Sequence, residues 1–184
     1  MNATDTPPAG DDEAPSRPAL FAASENGRLH DFSHVNRAPA PEKTRFCSPR
    51  VQSLHTWWWR FAGAVPQWQH FDILEHRGII NHLFMVAVLS PVRFQFRICG
   101  EASAAIVGRD NTHVVLECGQ GGQFGPLACH YAEVVKARQP RKCHGSFHYL
   151  DQGLVDFESI DCPLSDAQGR ITHLIGCLDI CGTP

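Results

Sequence analysis

Cysteine and histidine are the residues with the most evident chemical potential, since 8 of the 184 residues are Cys and 11 are His. These side chains bind transition metals when their spacing in the sequence places several of them close together in the fold. A Cys-x-x-Cys pair is the strongest sequence signal for zinc. The sequence contains no such pair. Cys177 and Cys181, like His144 and His148, are four positions apart, which on a strand separates them by roughly 13 Å. We therefore predict no metal site and expect most cysteines to be small apolar core residues.

Recognisable catalytic motifs are missing as well. The sequence has no Gly-x-Ser-x-Gly elbow, no Gly-x-x-x-x-Gly-Lys phosphate loop and no His-Glu-x-x-His helix. Cys143 is followed by His144, but neighbours on a strand point to opposite faces of a sheet, so this histidine does not activate the thiol. We therefore expect a protein that is not an enzyme.

The charge balance limits the classes of partner. With 16 basic and 19 acidic residues the formal net charge is -3, so no global field attracts nucleic acid or an anionic membrane. No apolar run approaches the roughly 20 residues of a membrane span, and the N-terminus lacks the basic and apolar regions of a secretory signal. The expected location is cytoplasmic, where cysteines are mostly reduced thiols rather than disulfides.

The composition divides the chain into two parts. Residues 1–49 hold 7 of the 13 prolines and few large apolar side chains, which predicts a disordered or weakly ordered N-terminal extension. Residues 50–181 have the composition of one globular domain. This domain begins with a predicted helix at about 50–63, between Pro49 and Gly63.

The predicted N-terminal helix has apolar side chains on more than one side. Val51, Leu54, Trp58 and Phe61 recur at helical spacing, while two further tryptophans fall off this stripe. Such a helix needs the domain body or a second chain to cover it. We predict a homodimer whose interface contains Trp57, Trp58, Trp59 and Phe61.

Strand patterns dominate the rest of the domain. Residues 82–89 are continuously apolar, and in the next run Val92, Phe94, Phe96 and Ile98 alternate with polar residues, which predicts a hairpin. A short helix and a longer helix follow, and Pro140 ends the second of them. Three more strand patterns lie at 141–150, 154–164 and 170–180. The order of helix, two strands, helices and three strands predicts an α+β fold with an antiparallel sheet.

Two sequence patterns within the domain point to a family. One is a Pro-apolar pair, an Asp-x-x-Gly turn, an apolar strand with a Gly and a terminal Asp-Ile, formed by Pro163, Leu164, Asp166, Gly169, Gly176, Asp179 and Ile180. The other is an aromatic-Arg strand that runs into Gly, followed by Gly-Arg-Asp, formed by Phe96, Arg97, Gly100, Gly108, Arg109 and Asp110. Together they resemble stand-alone proteobacterial proteins that consist of a single PAS domain, over residues 51–181.

The resemblance implies a PAS-like five-stranded antiparallel sheet with helices on one side. It also implies a sensory or regulatory, non-enzymatic module that acts in signal transduction through an unidentified protein partner. PAS domains enclose a small cavity for a ligand between the sheet and the helices. The candidate residues of this pocket are Phe94, Phe96, Ile98, Tyr131 and Phe147.

Two alternatives to a purely protein-binding module stay open. Some PAS sensors hold haem through a histidine on the long helix, which here is His130, and a sensor of another small molecule is possible in the same cavity. The Asn-Cys-Arg-Phe context of the flavin-binding PAS domains is absent. The second alternative is an enzyme on a similar cone-shaped α+β fold, for which Asp161 and Tyr149 are the candidate residues. We expect no cofactor, with haem as the alternative.

Overall fold

The computed structural model describes residues 35–122, 124–148 and 154–181 and shows seven strands and three α-helices within them. Residues 1–34 of the predicted extension and Tyr149 lie outside these residues. In chain order the elements are β1 (Asn36–Pro39), α1 (Pro49–Trp59), β2 (Leu83–Ser90), β3 (Arg93–Cys99), α2 (Glu101–Val107), β4 (Val115–Glu117), α3 (Phe124–Ala137), β5 (Arg141–His148), β6 (Leu154–Ser165) and β7 (Ile171–Ile180). Three short 3-10 turns connect α1 to β2.

One antiparallel sheet contains all seven strands, in the order β1-β5-β6-β7-β2-β3-β4. Its five middle strands are the five that the sequence predicts, and α2 and α3 lie between β3 and β5 in the chain. The predicted α+β layout with an antiparallel sheet is therefore confirmed, whereas the count of five strands is wrong.

The two additional strands are short edge strands. Among the described residues, β1 pairs only with β5, and β4 pairs only with β3. Strands of four and three residues carry no readable alternation, so the sequence does not reveal them. β1 also corrects the boundary of the weakly ordered extension, because residues 36–39 within it are part of the sheet.

The helix α1 begins where the sequence predicts it. Ser48 is the N-cap, its side chain accepts hydrogen bonds from two backbone N–H groups, and Pro49 occupies the first helical position. The helix ends at Trp59, four residues before the predicted end, and the chain then turns through Ala62 and Gly63, both at positive φ.

The packing of α1 corrects the predicted interface. Trp57 and Trp58 are 4% and 0% exposed, and the Trp58 indole donates a hydrogen bond to the Pro163 carbonyl at 2.9 Å. The Trp57 ring meets Phe71 and His76 in the connection between α1 and β2. Both rings are therefore buried within their own chain and are not available to a second copy. Trp59 and Phe61 are half-buried, and the homodimer itself stays a prediction.

The sheet is covered on both faces. One core lies between α1 and the sheet and contains Leu54, Trp58, Ile160 and Ile175 among others. The other lies between the sheet and α2 and α3, and its members include Phe94, Phe96, Leu116, Tyr131, Phe147 and Leu174. β6 contributes to both cores, which explains why all of its residues from Phe157 onward are buried.

Ile98 does not share a face with Phe94 and Phe96, contrary to the alternation in the sequence. The pairing of β2 with β3 shifts between Met85–Ile98 and Val86–Phe96, which leaves Arg97 as an extra residue. Such a bulge reverses the alternation beyond it. Ile98 is consequently 43% exposed and is not a pocket residue.

Two disulfides correct the expectation of mostly reduced cysteines. Cys47 is joined to Cys181, and Cys118 is joined to Cys129. The other four cysteines are free, and three of them are buried. The first disulfide joins the segment before α1 to the residue that follows β7.

Candidate functional site

A cavity lies between the sheet and the helices α2 and α3. Its volume is about 50 Å³, within about 560 Å³ of empty space that includes the part open to solvent. The apolar part of its wall consists of Val35, Phe84, Phe96, Val107, Leu127, Phe157 and Leu178. The polar and sulfur-containing part consists of Arg37, Cys99, Ser103, Asn111, Tyr131, Cys143, Ser159 and Asp161.

The cavity includes only part of the predicted pocket. Phe96 and Tyr131 line it, whereas Phe94 and Phe147 are buried in the surrounding core without lining it. Phe94 and Tyr131 meet edge to face, with ring centroids 5.7 Å apart. Phe94 therefore supports the cavity wall from behind.

Three buried side chains meet at the wall of the cavity. α3 supplies His130, β5 supplies Cys143 and β6 supplies Asp161, and these residues are 3%, 5% and 2% exposed. The His130 Nε2 atom lies 2.8 Å from Asp161 Oδ2 and 3.3 Å from Cys143 Sγ. Cys143 Sγ lies 3.8 Å from the same Asp161 oxygen. We call these residues the His-Cys-Asp cluster.

Strand register brings the cluster together. Cys143 is paired with Ser159, and Arg141 is paired with Asp161. Residues two apart on a strand face the same side of a sheet, so Cys143, Ser159 and Asp161 all face α3. Buried His130 extends from α3 toward them.

The cluster is not arranged as a nucleophilic triad. Such a triad needs the thiol on one imidazole nitrogen and the carboxylate on the other, whereas here both Cys143 and Asp161 contact Nε2 of His130. No described residue forms a hydrogen bond with His130 Nδ1. Burial, reinforced by the nearby Asp161 charge, raises the pKa of the Cys143 thiol, which keeps it protonated at neutral pH.

Several polar atoms at the cavity are free to bind a ligand. Oδ1 of Asp161 and Oδ1 of Asn111 are buried and have no hydrogen-bond partner among the described residues. Tyr131 is fully buried, and this burial, with the Asp161 charge, raises the pKa of its hydroxyl well above the usual range, so the hydroxyl stays a donor. A molecule in the cavity could therefore form hydrogen bonds with donors and acceptors as well as apolar contacts.

Haem does not fit His130 in this structure. An axial ligand needs an imidazole that faces the cavity, but His130 is not among the residues that line it. Asp161 does line the cavity and is buried. The enzyme alternative needs a buried acidic residue at the cavity, and Asp161 meets that requirement. Tyr149, its other candidate, lies outside the described residues.

A second polar network lies on the opposite face of the sheet and holds the start of α1. The backbone N–H of Ser48 donates to Glu158 at 2.6 Å, and the Ser48 hydroxyl donates to Asp179 at 2.6 Å. Lys142 pairs with Glu158 at 2.7 Å, and Arg50 pairs with Asp179 at 3.1 Å. Glu158 and Asp179 are themselves opposite each other on β6 and β7.

The sequence predicts the members of the His-Cys-Asp cluster separately but not together. His130 is the haem candidate, Asp161 is a candidate of the enzyme alternative, and Cys143 is treated as core. They are 13 to 31 positions apart, so no local motif joins them. The one available signal is that Cys143 and Asp161 both lie in strand patterns of the same predicted sheet.

Among the described residues no helix is long and apolar enough to cross a membrane. No family model matches the chain, and no curated protein matches it. Among solved structures, it is similar to one titled "Structure of an RNA-binding Light-Oxygen-Voltage Receptor", with 14% identity and a TM-score of 0.45. The match covers 79% of this chain and 38% of the receptor chain. RNA binding is a property of that receptor, and the absence of a nucleic-acid partner for this chain stays a prediction.

Proposed function

We propose that this chain is a non-enzymatic sensory module that binds a small organic molecule in its cavity. The observation that carries the proposal is the cavity itself, an apolar chamber with a few polar groups, of which Asp161 Oδ1 and Asn111 Oδ1 have no protein partner among the described residues. Ligand sites in proteins have this character. A ligand with one or two hydrogen-bonding groups on a small apolar body matches it.

The proposed route of the signal is β6. Asp161 is on the face of this strand that lines the cavity, and Glu158, three positions earlier, is on the opposite face, where it binds the backbone of Ser48. A ligand that moves Asp161 therefore acts on the strand that holds the N-terminus of α1. We propose that a partner protein reads the resulting change at α1 and the segment before it.

Ligand-observed NMR with a library of small fragments tests the binding step on the full chain. Val107 lines the cavity at the end of α2 and is 6% exposed, so Val107→Phe reduces the space. The matched control is Val115→Phe, because Val115 is 37% exposed on the edge strand β4. Fragments should bind the wild type and the control and lose binding to Val107→Phe. Equal binding to all three proteins would contradict the cavity as the site.

Hydrogen exchange with a bound fragment tests the signalling step. We expect the amides at the start of α1 to change their protection, whereas the exposed β2–β3 turn should not change. Binding with no change at α1 would refute the proposed route. Chemical conversion of a bound fragment over time would instead support the enzyme alternative at Asp161.

A further inference from the structure

We propose that the His-Cys-Asp cluster is a binding site for a zinc-like divalent metal ion, with His130 Nε2, Cys143 Sγ and an oxygen of Asp161 as ligands. The three ligand atoms lie within 4.8 Å of one another. Cys143 and Asp161 also line the cavity. The fourth coordination position therefore faces the cavity, where water or another small ligand can occupy it.

The distances in the cluster are close to those of a tetrahedral site. With zinc bonds of about 2.0–2.3 Å, two ligand atoms of a tetrahedral site are about 3.4–3.6 Å apart. The observed separations are 3.3 Å for sulfur and nitrogen, 2.8 Å for nitrogen and oxygen, and 3.8 Å for sulfur and oxygen. Side-chain adjustments of about 0.6 Å or less would therefore admit the ion.

Hydrogen bonding leaves part of the cluster unsatisfied. His130 Nε2 and the Cys143 thiol both contact the same Asp161 oxygen, Oδ2, and Nε2 also lies 3.3 Å from the thiol sulfur. Oδ1 of Asp161 is left buried and without a hydrogen-bond partner among the described residues, which costs free energy in an apolar interior. Three ligand atoms that converge on one point are the expected arrangement around an ion.

The types of ligand atom favour zinc among the common ions. One sulfur, one imidazole nitrogen and one carboxylate oxygen suit Zn²⁺, whereas Mg²⁺ and Ca²⁺ prefer oxygen ligands throughout. Binding releases the thiol proton of Cys143 to solvent and places the imidazole proton on Nδ1. The thiolate and carboxylate together then neutralise the 2+ charge of the ion.

Titration of the full-length, metal-free protein with Co²⁺ tests this proposal. Tetrahedral Co²⁺ with a thiolate ligand gives intense visible bands and a sulfur-to-metal charge-transfer band, which other sites do not produce. We expect one equivalent to bind with both signals, and Zn²⁺ to displace it. Cys143→Ser should remove the charge-transfer band and weaken binding by at least about 100-fold, since even outer-shell changes cost 10–100-fold.

Matched cysteine variants locate the sulfur ligand. Cys162→Ser changes another buried cysteine on the opposite, α1-facing side of the sheet and should leave the band unchanged. Cys99→Ser tests the other free thiol that lines the cavity. Cys47→Ser tests a second group, Cys47, Glu158 and Cys181, although a disulfide joins its two cysteines. Retention of the band in Cys143→Ser, or its loss in any of these three variants alone, would overturn the assignment.

His130→Gln and Asp161→Asn complete the test. Each should weaken Co²⁺ binding and alter the visible bands, while circular dichroism of the metal-free variants shows whether they fold. If Cys143→Ser fails to fold, protection of the Cys143 thiol from alkylation by added Zn²⁺ in the wild type gives the same information. Equal alkylation with and without Zn²⁺ would refute the proposal. These measurements read the ion directly, so they do not depend on an organic ligand in the cavity.

Discussion

The Gly176→Ala substitution probes the contact that shapes the floor of the cavity. Gly176 on β7 is paired with Phe84 on β2, and the Phe84 ring lies over the glycine because no side chain is there. A Cβ atom at this position would come within 2.7 Å of Phe84 Cε1, with two further ring atoms nearer still. Ordinary contacts between carbon atoms are about 3.5–4.0 Å, so the ring would have to move by about 1 Å or more.

The expected cost follows from the surroundings of the ring. Phe84 is 7% exposed and packs against Phe96, with ring centroids 6.0 Å apart. A displaced ring must therefore enter either the Phe96 contact or the cavity that both residues line. Overpacking of this kind typically costs about 1–3 kcal/mol, and we expect Gly176→Ala to lower the free energy of unfolding by about 2 kcal/mol.

A double-mutant cycle measured by urea unfolding tests the cause. Phe84→Leu shortens the side chain and should cost about 1–1.5 kcal/mol alone, but in combination with Gly176→Ala it should relieve the clash. We expect the double variant to be more stable than the sum of the single effects by at least about 1 kcal/mol. The control is Gly78→Ala, because Gly78 is exposed and a Cβ there meets nothing within 4 Å.

Two outcomes would refute this reasoning. One is a Gly176→Ala protein as stable as the Gly78→Ala control, which should stay within about 0.5 kcal/mol of the wild type. The other is additivity of the two single effects to within about 0.5 kcal/mol, which would show that the cost does not arise from the Phe84 ring.

Three further predictions concern α1, the disulfides and pH. Ser48→Ala removes the N-cap of α1 and the buried hydrogen bond from the Ser48 hydroxyl to Asp179. Urea unfolding should show that the free energy of unfolding falls by about 2–3 kcal/mol. A decrease of less than about 0.5 kcal/mol would contradict this prediction. Cys47→Ser removes the Cys47–Cys181 disulfide, which joins residues 134 positions apart, and should lower the free energy of unfolding by about 2–5 kcal/mol. Cys118→Ser removes a disulfide between residues only 11 positions apart and should cost less. A larger loss for Cys118→Ser than for Cys47→Ser would contradict this prediction. Burial lowers the pKa of His76, so the folded state binds fewer protons than the unfolded state. The stability that this group leaves intact above about pH 6.5 is therefore lost as the pH falls below that value. His76→Gln should reduce this loss in urea unfolding at different pH values, and an unchanged pH dependence would rule out a contribution of His76.

Secondary structure was predictable where periodic patterns were long. The stripe of Leu127, Tyr131 and Val134 predicted α3, and all three side chains are buried. The helix ends at Ala137, three residues before Pro140, which is its predicted end. β3 shows the limit, because alternation assigns Ile98 to the core face and a one-residue bulge turns it out. A bulge depends on the neighbouring strand, so a pattern within one strand cannot reveal it.

The disulfides and the His-Cys-Asp cluster were not predictable for a related reason. Cys47 and Cys181 are 134 positions apart, and the inference of reduced thiols used only the expected compartment and local spacing. The cluster likewise depends on the register of β5 with β6 and on the direction from which α3 crosses them. Spacing rules test pairs within one element, whereas these groups are formed by the tertiary fold.

The strand β6 carries one residue of the His-Cys-Asp cluster, Asp161, and one residue of the polar network that holds the start of α1, Glu158. Glu158 and Asp161 are three positions apart, so they lie on opposite faces of one strand, and both are 2% exposed. β6 is paired along its length with β5 and β7, so it cannot shift at one residue without shifting its neighbours. We therefore expect a backbone displacement of β6 at Asp161 to reach the Glu158 contact that anchors α1 at Ser48, and this is the route that we propose for the signal.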